Sequence, residues 1–318
     1  FTTSRLISEK PKTSPTNIRT SSNVSLPSSA RLTPRQRISR SSVESKNRTP
    51  LNPIHDHNRA AWDARVQDGK RFTRAAMDDE MDRPLEILDP LGWLGGEITD
   101  KRILCLGAGG GRHGPMLANA GARVTVVDIS PEMLRLDREM AEDRGLQVET
   151  IETSIDDLSM LAEAEYEAVM QPVSTCYVPD IRLAYRELAR VMQPGGVYIS
   201  RHKQPTNLQI DLAPTPAGFV IDTPYYHEGP LSPAKRPGPH REQGTMEFLH
   251  RWGDLLGGLC EAGFTIEAVT EPKFGDPSAA PGSFEYRGHH LAPYIQLRAR
   301  RTEKPPATET LWTPASPQ

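Results

Sequence analysis

Ile103-Leu-Cys-Leu-Gly-Ala-Gly-Gly-Gly-Arg112, followed by Val124-Thr-Val-Val-Asp128, decides how this chain folds. A short apolar run feeds a turn that glycine permits. A helix follows, and a second apolar run ends in one carboxylate. Strand, glycine turn, helix, strand and acid in that order form a layout that binds an adenosine-bearing cofactor. The bare backbone lets the ligand approach, and the acid accepts hydrogen bonds from ribose hydroxyls.

The pattern continues outward from this unit. Ser130 reads as a helix N-cap, with Pro131 at the first helical position and Glu132 at the positive end. That helix carries Met133, Leu134, Leu136 and Met140 and ends near Gly145. Strands are expected at 148–153 and 167–171, the latter preceded by a short acidic helix. Ile181, Ala184, Leu188 and Val191 recur at helical spacing, and Pro194-Gly195-Gly196 ends that helix. Further strands are expected at 197–202, 264–271 and 293–300, and a helix at 246–262. Upstream, helices open at Asn58 and at Leu85, the second broken by Pro90 and Gly92. The alternation predicts an α/β fold: a doubly wound, mainly parallel seven-stranded sheet of Rossmann-like type. No helix is read between the last two strands, so they should form an antiparallel pair. Ligands in such sheets bind at the carboxyl ends of the strands.

The chain has 318 residues, 36% of them hydrophobic, and a mean hydropathy of −0.54. Residues 1–50 hold ten Lys/Arg against Glu9 and Glu44, a surplus of eight positive charges. The whole chain carries −3, so the remainder carries −11. The basic, Ser- and Pro-rich segment lacks the apolar surface to offset its ordering entropy and is expected to be disordered. Its composition fits a solvated tail or an organelle transit peptide. The first reading leaves the protein in the cytoplasm; the second places it in a matrix or stroma. Residues 302–318 read as a second loose tail. No apolar run reaches the roughly 20 residues of a membrane span. The basic tail lacks the interleaved aromatics of a nucleic-acid binder. Cys105, Cys176 and Cys260 match no zinc spacing and read as buried thiols in a reducing compartment. No metal site is expected.

Four features at consistent spacing carry a family resemblance. They are the turn Leu106–Arg112, Asp128-Ile-Ser-Pro-Glu-Met-Leu134, the strand Tyr166-Glu-Ala-Val169, and the helix–Pro-Gly-Gly–strand unit from Tyr185 to Tyr198. From about residue 55 to 301 the chain resembles class I S-adenosylmethionine-dependent methyltransferases. The resemblance implies S-adenosylmethionine as cofactor and a small-molecule methyl acceptor. It places Gly107, Ala108 and Gly109 against the methionine and ribose portion and Asp128 on the ribose hydroxyls. Ile129 and Met133 should flank the adenine, with Ile155 and Asp156 at its edge and Gln171 near the methionine end. Two departures stand out. Cys105 replaces the acid usual inside the first strand, and Ser154 replaces the Asp that often opens the adenine loop.

Other readings remain open at this level. Gly109-Gly-Gly111-Arg-His-Gly114 also matches the dinucleotide fingerprint, so an NAD(P)- or flavin-dependent oxidoreductase is the rival. The two departures keep a non-catalytic cofactor-fold binding protein in view. If the acceptor must lose a proton, His202, ending the fifth strand, is the candidate base. Tyr177, Tyr225, Tyr226 and His227 are candidates to line an acceptor pocket. The Pro-rich stretch 204–245 reads as a substrate lid. Oligomeric state is not legible.

Overall fold

The computed structural model describes residues 52–234 and 238–303. The basic segment at 1–50 and nearly all of the expected tail at 302–318 lie outside the described residues. The first helix, α1 (Pro53–Gln67), starts where Asn52 Oδ1 accepts from the Ile54 N–H at 3.1 Å. Two short helices, α2 (Asp78–Met81) and α3 (Pro84–Leu88), lead to the sheet. Asp89 ends α3 by accepting from the backbone of Trp93 and Leu94 at 2.8 and 2.7 Å, so the expected helix from Leu85 is only five residues long.

The sheet holds β1 (Arg102–Leu106), β2 (Arg123–Asp128), β3 (Val148–Glu152), β4 (Tyr166–Gln171), β5 (Met192–Lys203), β6 (Phe264–Thr270) and β7 (Tyr294–Arg301). Their spatial order is β3-β2-β1-β4-β5-β7-β6. The first five run parallel, and β7 lies antiparallel between β5 and β6. The order reverses between β1 and β4, which is where such sheets open a ligand crevice. Alternate residues of each strand point to opposite faces. On one face Leu104, Leu106, Val169, Tyr198 and Leu297 pack with α6 (Ile181–Val191). On the other, Ile103, Val124, Val126 and Met170 join Leu117 of α4 (His113–Asn119) and Leu134 of α5 (Pro131–Arg144). Burying each such Leu, Ile or Val contributes about 1.5–3 kcal/mol.

Local chemistry sets the helix ends as expected. Ser130 Oγ accepts from the Met133 N–H at 3.1 Å to open α5, and Gly145 closes it with φ 65°. Asp180 caps α6 through the N–H groups of Arg182 and Leu183.

Four expectations are corrected. The acidic helix before β4 is a run of turns, because Arg190 of α6 donates to the carbonyls of Leu158 and Leu161. The helix expected at 246–262 begins only at a π-wound turn, Gly253–Gly257, that runs into α8 (Gly258–Glu261). Residues before it are extended: Phe248 N–H pairs with Cys176 O, and Leu231 N–H with Glu247 O, both at 2.8 Å. Those pairings compete with helix, and three glycines weaken what remains. A helix, α9 (Phe284–His290), does lie between β6 and β7, although the strands pair antiparallel as expected. Cys260 is exposed rather than buried, while Cys105 and Cys176 are buried, and all three are free. The stretch 204–245 contains α7 (Pro205–Gln209) and isolated bridges such as Ile210–Ile221 and Pro230–Phe248.

Candidate active site

The β1–α4 turn is built from what glycine alone permits. Gly107 has φ 59°, and a Cβ there would lie 2.7 Å from both Cβ and Oγ of Ser174. Its N–H donates to Val127 O at 2.8 Å, which ties the turn to β2. A Cβ on Gly109 would meet Met133 Cβ at 2.8 Å and the Asp128 carboxylate at 3.0 Å. The turn is thus a cradle that any side chain would fill.

Asp128 ends β2 beneath this cradle. Its Oδ2 accepts from Gly109 N–H at 2.9 Å and its Oδ1 from Ser130 N–H at 3.0 Å. Burial pushes its pKa up to about 6 against those backbone donors. Beside it a cavity of about 500 Å³ opens over the carboxyl ends of β1, β4 and β5. Gly107, Ala108, Gly109, Asp128, Ile129, Met133, Ile155 and Gln171 all line it. The turn, acid and apolar pair therefore sit together as the sequence suggests. Ser154 lines the same wall, but Asp156 does not: its carboxylate is taken by Ser154 Oγ and by His55 Nε2 at 3.2 Å. His55, from α1, faces the cavity in its place.

Gln171 is held on both sides. Its Oε1 accepts from Tyr198 OH at 2.5 Å, and its Nε2 donates to Ser174 Oγ at 2.9 Å. Cys105 is fully buried, and burial raises its thiol pKa far above the usual value, so it is a neutral residue in the strand core.

Helix α1 roofs the site. Ser130 Oγ donates to Asp63 at 2.6 Å. Asn58 donates to Tyr177 O and Met246 O and accepts from Met246 N–H. Trp62 meets the Tyr177 ring edge-on at 5.6 Å. Tyr177 lines the cavity and donates its hydroxyl to Glu242 Oε2 at 2.6 Å. Glu242 also lines it and is paired at 2.5 Å with the fully buried Lys203, which binds Glu247 too. Burial pushes the Glu242 pKa up, but the Lys203 charge and the two hydrogen bonds outweigh it, so the carboxyl stays below its ordinary value and ionised.

Several sequence candidates lie elsewhere. His202 is buried away from the cavity, with Nδ1 2.9 Å from Thr175 Oγ1 and Nε2 2.7 Å from Ser200 Oγ. Burial lowers its pKa to about 3. Both nitrogens are engaged and the ring is a poor base, so its place is structural. Tyr225 OH accepts from Trp252 N–H at 3.2 Å. Tyr226 is 75% exposed and lies over Arg251. His227 lines a separate surface hollow beside Arg182 and Asp254. None of these three lines the cavity, because the 204–245 stretch folds outward here; among its described residues only Glu242 lines the cavity. His55, Glu242 and the arginines Arg71, Arg74, Arg112 and Arg201 line the cavity without having been singled out in the sequence. No local motif marks them; tertiary packing alone gathers them. Among the described residues no cluster of His, Cys, Asp and Glu could hold a metal ion, and no helix is long and apolar enough to cross a membrane.

The cradle, the buried acid Asp128 and the apolar pair Ile129 and Met133 fit S-adenosylmethionine. Comparison with known proteins agrees. Residues 104–200 match a family model described as a methyltransferase domain. The chain is 30% identical over 239 residues to the uncharacterized methyltransferase YbaJ of Bacillus subtilis, covering 71% of this chain and 93% of that protein. It is also 30% identical over 148 residues to the ubiquinone biosynthesis O-methyltransferase of Xanthomonas oryzae pv. oryzae; that match spans 45% of this chain and 58% of the relative. A crystal structure of an S-adenosylmethionine-dependent methyltransferase from Mesorhizobium loti shares the fold, with a TM-score of 0.54 at 22% identity over 70% of this chain and 100% of that one. The rival oxidoreductase and non-catalytic readings are set aside by these matches: this chain belongs to the S-adenosylmethionine-dependent methyltransferases, and S-adenosylmethionine is its cofactor.

Proposed function

We propose that this methyltransferase acts on a small molecule held in the cavity beside the glycine turn. The observation that carries this reading is the cavity itself. It is roofed by α1 and walled by Tyr177, Phe274, Phe284 and Tyr294, and its volume of about 500 Å³, shared with the cofactor, leaves room for a compact acceptor. The net negative charge of the chain beyond residue 50 also favours a small molecule over a nucleic acid. The name of the Xanthomonas relative, a ubiquinone biosynthesis enzyme, is consistent with a small acceptor. The three unpaired thiols favour a reducing compartment, which the cytoplasm supplies.

The bound cofactor supplies an electrophilic methyl group on a good, neutral leaving group. The protein's task is then alignment and exclusion of water. Asp128 takes the ribose hydroxyls, Gly107 and Gly109 admit the ligand to the backbone, and Ile129 and Met133 flank the adenine. Ser154 and Ile155 close its edge, and Gln171 faces the methionine end. Glu242 replaces His202 as the group nearest to proton chemistry: its ionised carboxylate orients an acceptor hydroxyl or carbon acid by accepting a hydrogen bond. Tyr177 and Lys203 hold it in place.

The test has two arms. Calorimetric titration of the full chain with S-adenosylhomocysteine, alongside Asp128→Ala, reads the cofactor site; micromolar binding lost in the variant is expected. Labelled S-adenosylmethionine is then offered with small phenols, acids and amines, and separately with total protein and RNA. Label on small acceptors supports the reading. Label confined to protein or RNA overturns it.

A further inference from the structure

One stretch of the cavity wall carries more cations than acids. Arg201, on β5, stands opposite Gln296 of β7 in register, and both line the cavity. With the Gln296 amide turned so that its oxygen faces Arg201, that oxygen accepts from Nε at 3.1 Å and from Nη2. Among the described residues no carboxylate pairs with Arg201 and nothing accepts from its Nη1. Arg112 and His113 share this wall, and the charges of Arg112 and Arg201 both reach His113. Arg112 pairs with Glu80 at 2.8 Å, but Glu80 also serves Arg74, so two cations share one acid. Arg112 Nε is buried with no partner.

The contrast with other interior cations is informative. Lys203 has two glutamates. Arg287 donates to Asn207 Oδ1 and three carbonyl oxygens. Of the carboxylates along the cavity, Asp128 belongs to the cofactor cleft, Glu242 is neutralised by Lys203, and Glu285 is exposed on α9. Arg201 presents a half-buried guanidinium to the cavity with Nη1 left over, and its neighbour Arg112 has Nε left over. A planar fork of this kind matches an oxyanion. Met170, Ile199, Phe274 and Phe284 supply apolar wall in the same cavity.

We propose that Arg201, supported by Arg112, is an oxyanion subsite for the methyl acceptor, which is therefore a small acid: an apolar body bearing a carboxylate or phosphate. This rests on the small-molecule reading above. The same chemistry could serve the carboxylate of the cofactor's own methionine, and the experiment separates the two.

The full chain and Arg201→Gln are titrated first with S-adenosylhomocysteine and with methylthioadenosine, which lacks the amino acid. The proteins loaded with S-adenosylhomocysteine are then titrated with benzoate, cinnamate and phenyl phosphate, each against its uncharged counterpart: benzyl alcohol, cinnamyl alcohol or phenol. The proposal expects unchanged affinity for both nucleosides. It also expects at least one anion to bind wild type tenfold or more tightly than its uncharged counterpart, a preference lost in Arg201→Gln and partly kept in Arg201→Lys. Retained nucleoside binding shows that the variant is folded. If Arg201→Gln weakens S-adenosylhomocysteine but not methylthioadenosine, Arg201 holds the cofactor and the proposal fails. It fails equally if no anion outbinds its uncharged counterpart on wild type. In either case the small-molecule reading survives unless the acceptor screen labels macromolecules alone.

Discussion

A single methyl group at Gly107 has nowhere to go. Its φ of 59° is costly for a side chain, and Ser174 stands 2.7 Å from the new Cβ. Gly107→Ala should cost about 1–3 kcal/mol and weaken S-adenosylhomocysteine at least tenfold by calorimetry, because the strain falls on the turn proposed to cradle the ligand. Asp128 makes a sharper test. Asn at this position keeps an acceptor for Gly109 N–H but loses the charge that two ribose hydroxyls require. At about 1.5–3 kcal/mol per charged hydrogen bond, Asp128→Asn should raise the dissociation constant about 100-fold or more. An equal affinity would remove Asp128 from the site. Glu242 belongs to the other half of the chemistry. Glu242→Gln leaves Lys203 its pairing with Glu247, so the fold should hold. The turnover number should fall by about 100-fold or more while S-adenosylhomocysteine affinity stays unchanged. A matching loss of cofactor affinity would instead mark Glu242 as structural.

Among the elements, α9 shows how a short helix is fastened. Arg287 is fully buried, and its guanidinium donates to Asn207 O at 2.7 Å, Ile210 O at 2.9 Å and Asp211 O at 3.0 Å. It pins α9 to the chain that follows β5. Arg287→Met removes the donors and leaves those carbonyls buried, a loss of about 3 kcal/mol. Urea denaturation should show a lower midpoint with unchanged slope, and Lys should restore less than half, since an ammonium cannot reproduce the fork. An unshifted midpoint would mean that water replaces Arg287. This fastening also explains what the sequence could and could not reveal. The β1–β2 unit and α5 were legible because their signals are local: glycines with obligatory turns, a Ser130 cap, a Gly145 stop. That Gly107, Asp128 and Met133 share one cavity wall followed from them, since these residues belong to one continuous unit. The helix α9, the π-wound turn after Trp252 and the extended run before it were not legible, because their hydrogen bonds go to partners distant in the chain. In the acceptor half only Tyr177, of the residues singled out there, lines the cavity, for the same reason. His202, Tyr225 and Tyr226 sit near the right elements in sequence, yet neighbours such as Thr175 and Trp252 claim them. Glu242 and Arg201 carry no local mark, and only the packing of β5 and β7 with α1 brings them to one cavity.

At the scale of the whole molecule, the glycine turn couples proton binding to stability and to ligand binding. Asp137 of α5 lies buried under the turn, with Oδ2 accepting from Gly110 N–H at 2.9 Å and Oδ1 without a partner. Burial, with the nearby Asp128 charge, raises its pKa to about 7 despite the donors of Gly111 and Gly110. Asp128 stands at about 6. Both ordinarily titrate near 3.8. Between pH 4 and 7 the folded chain therefore holds more protons than the unfolded chain. The contribution of these groups is fully present below about pH 4 and is lost as the pH rises through about 6 and 7. Asn at 137 carries no charge at any pH, so it escapes this loss. The melting temperature of Asp137→Asn, taken relative to wild type, should be more favourable at pH 8 than at pH 5. A difference independent of pH would show that Asp137 does not titrate in this range. Ligand binding runs the other way. In the proposed ribose role Asp128 must be ionised, so S-adenosylhomocysteine would displace its proton below pH 6. Affinity should rise from pH 5 to 6, by at most about tenfold per unit, and level off above 7. Calorimetry in two buffers of unlike ionisation enthalpy should register proton release at pH 5.5 that vanishes in Asp128→Asn. Release that persists in that variant would assign the linked proton to Asp137 instead.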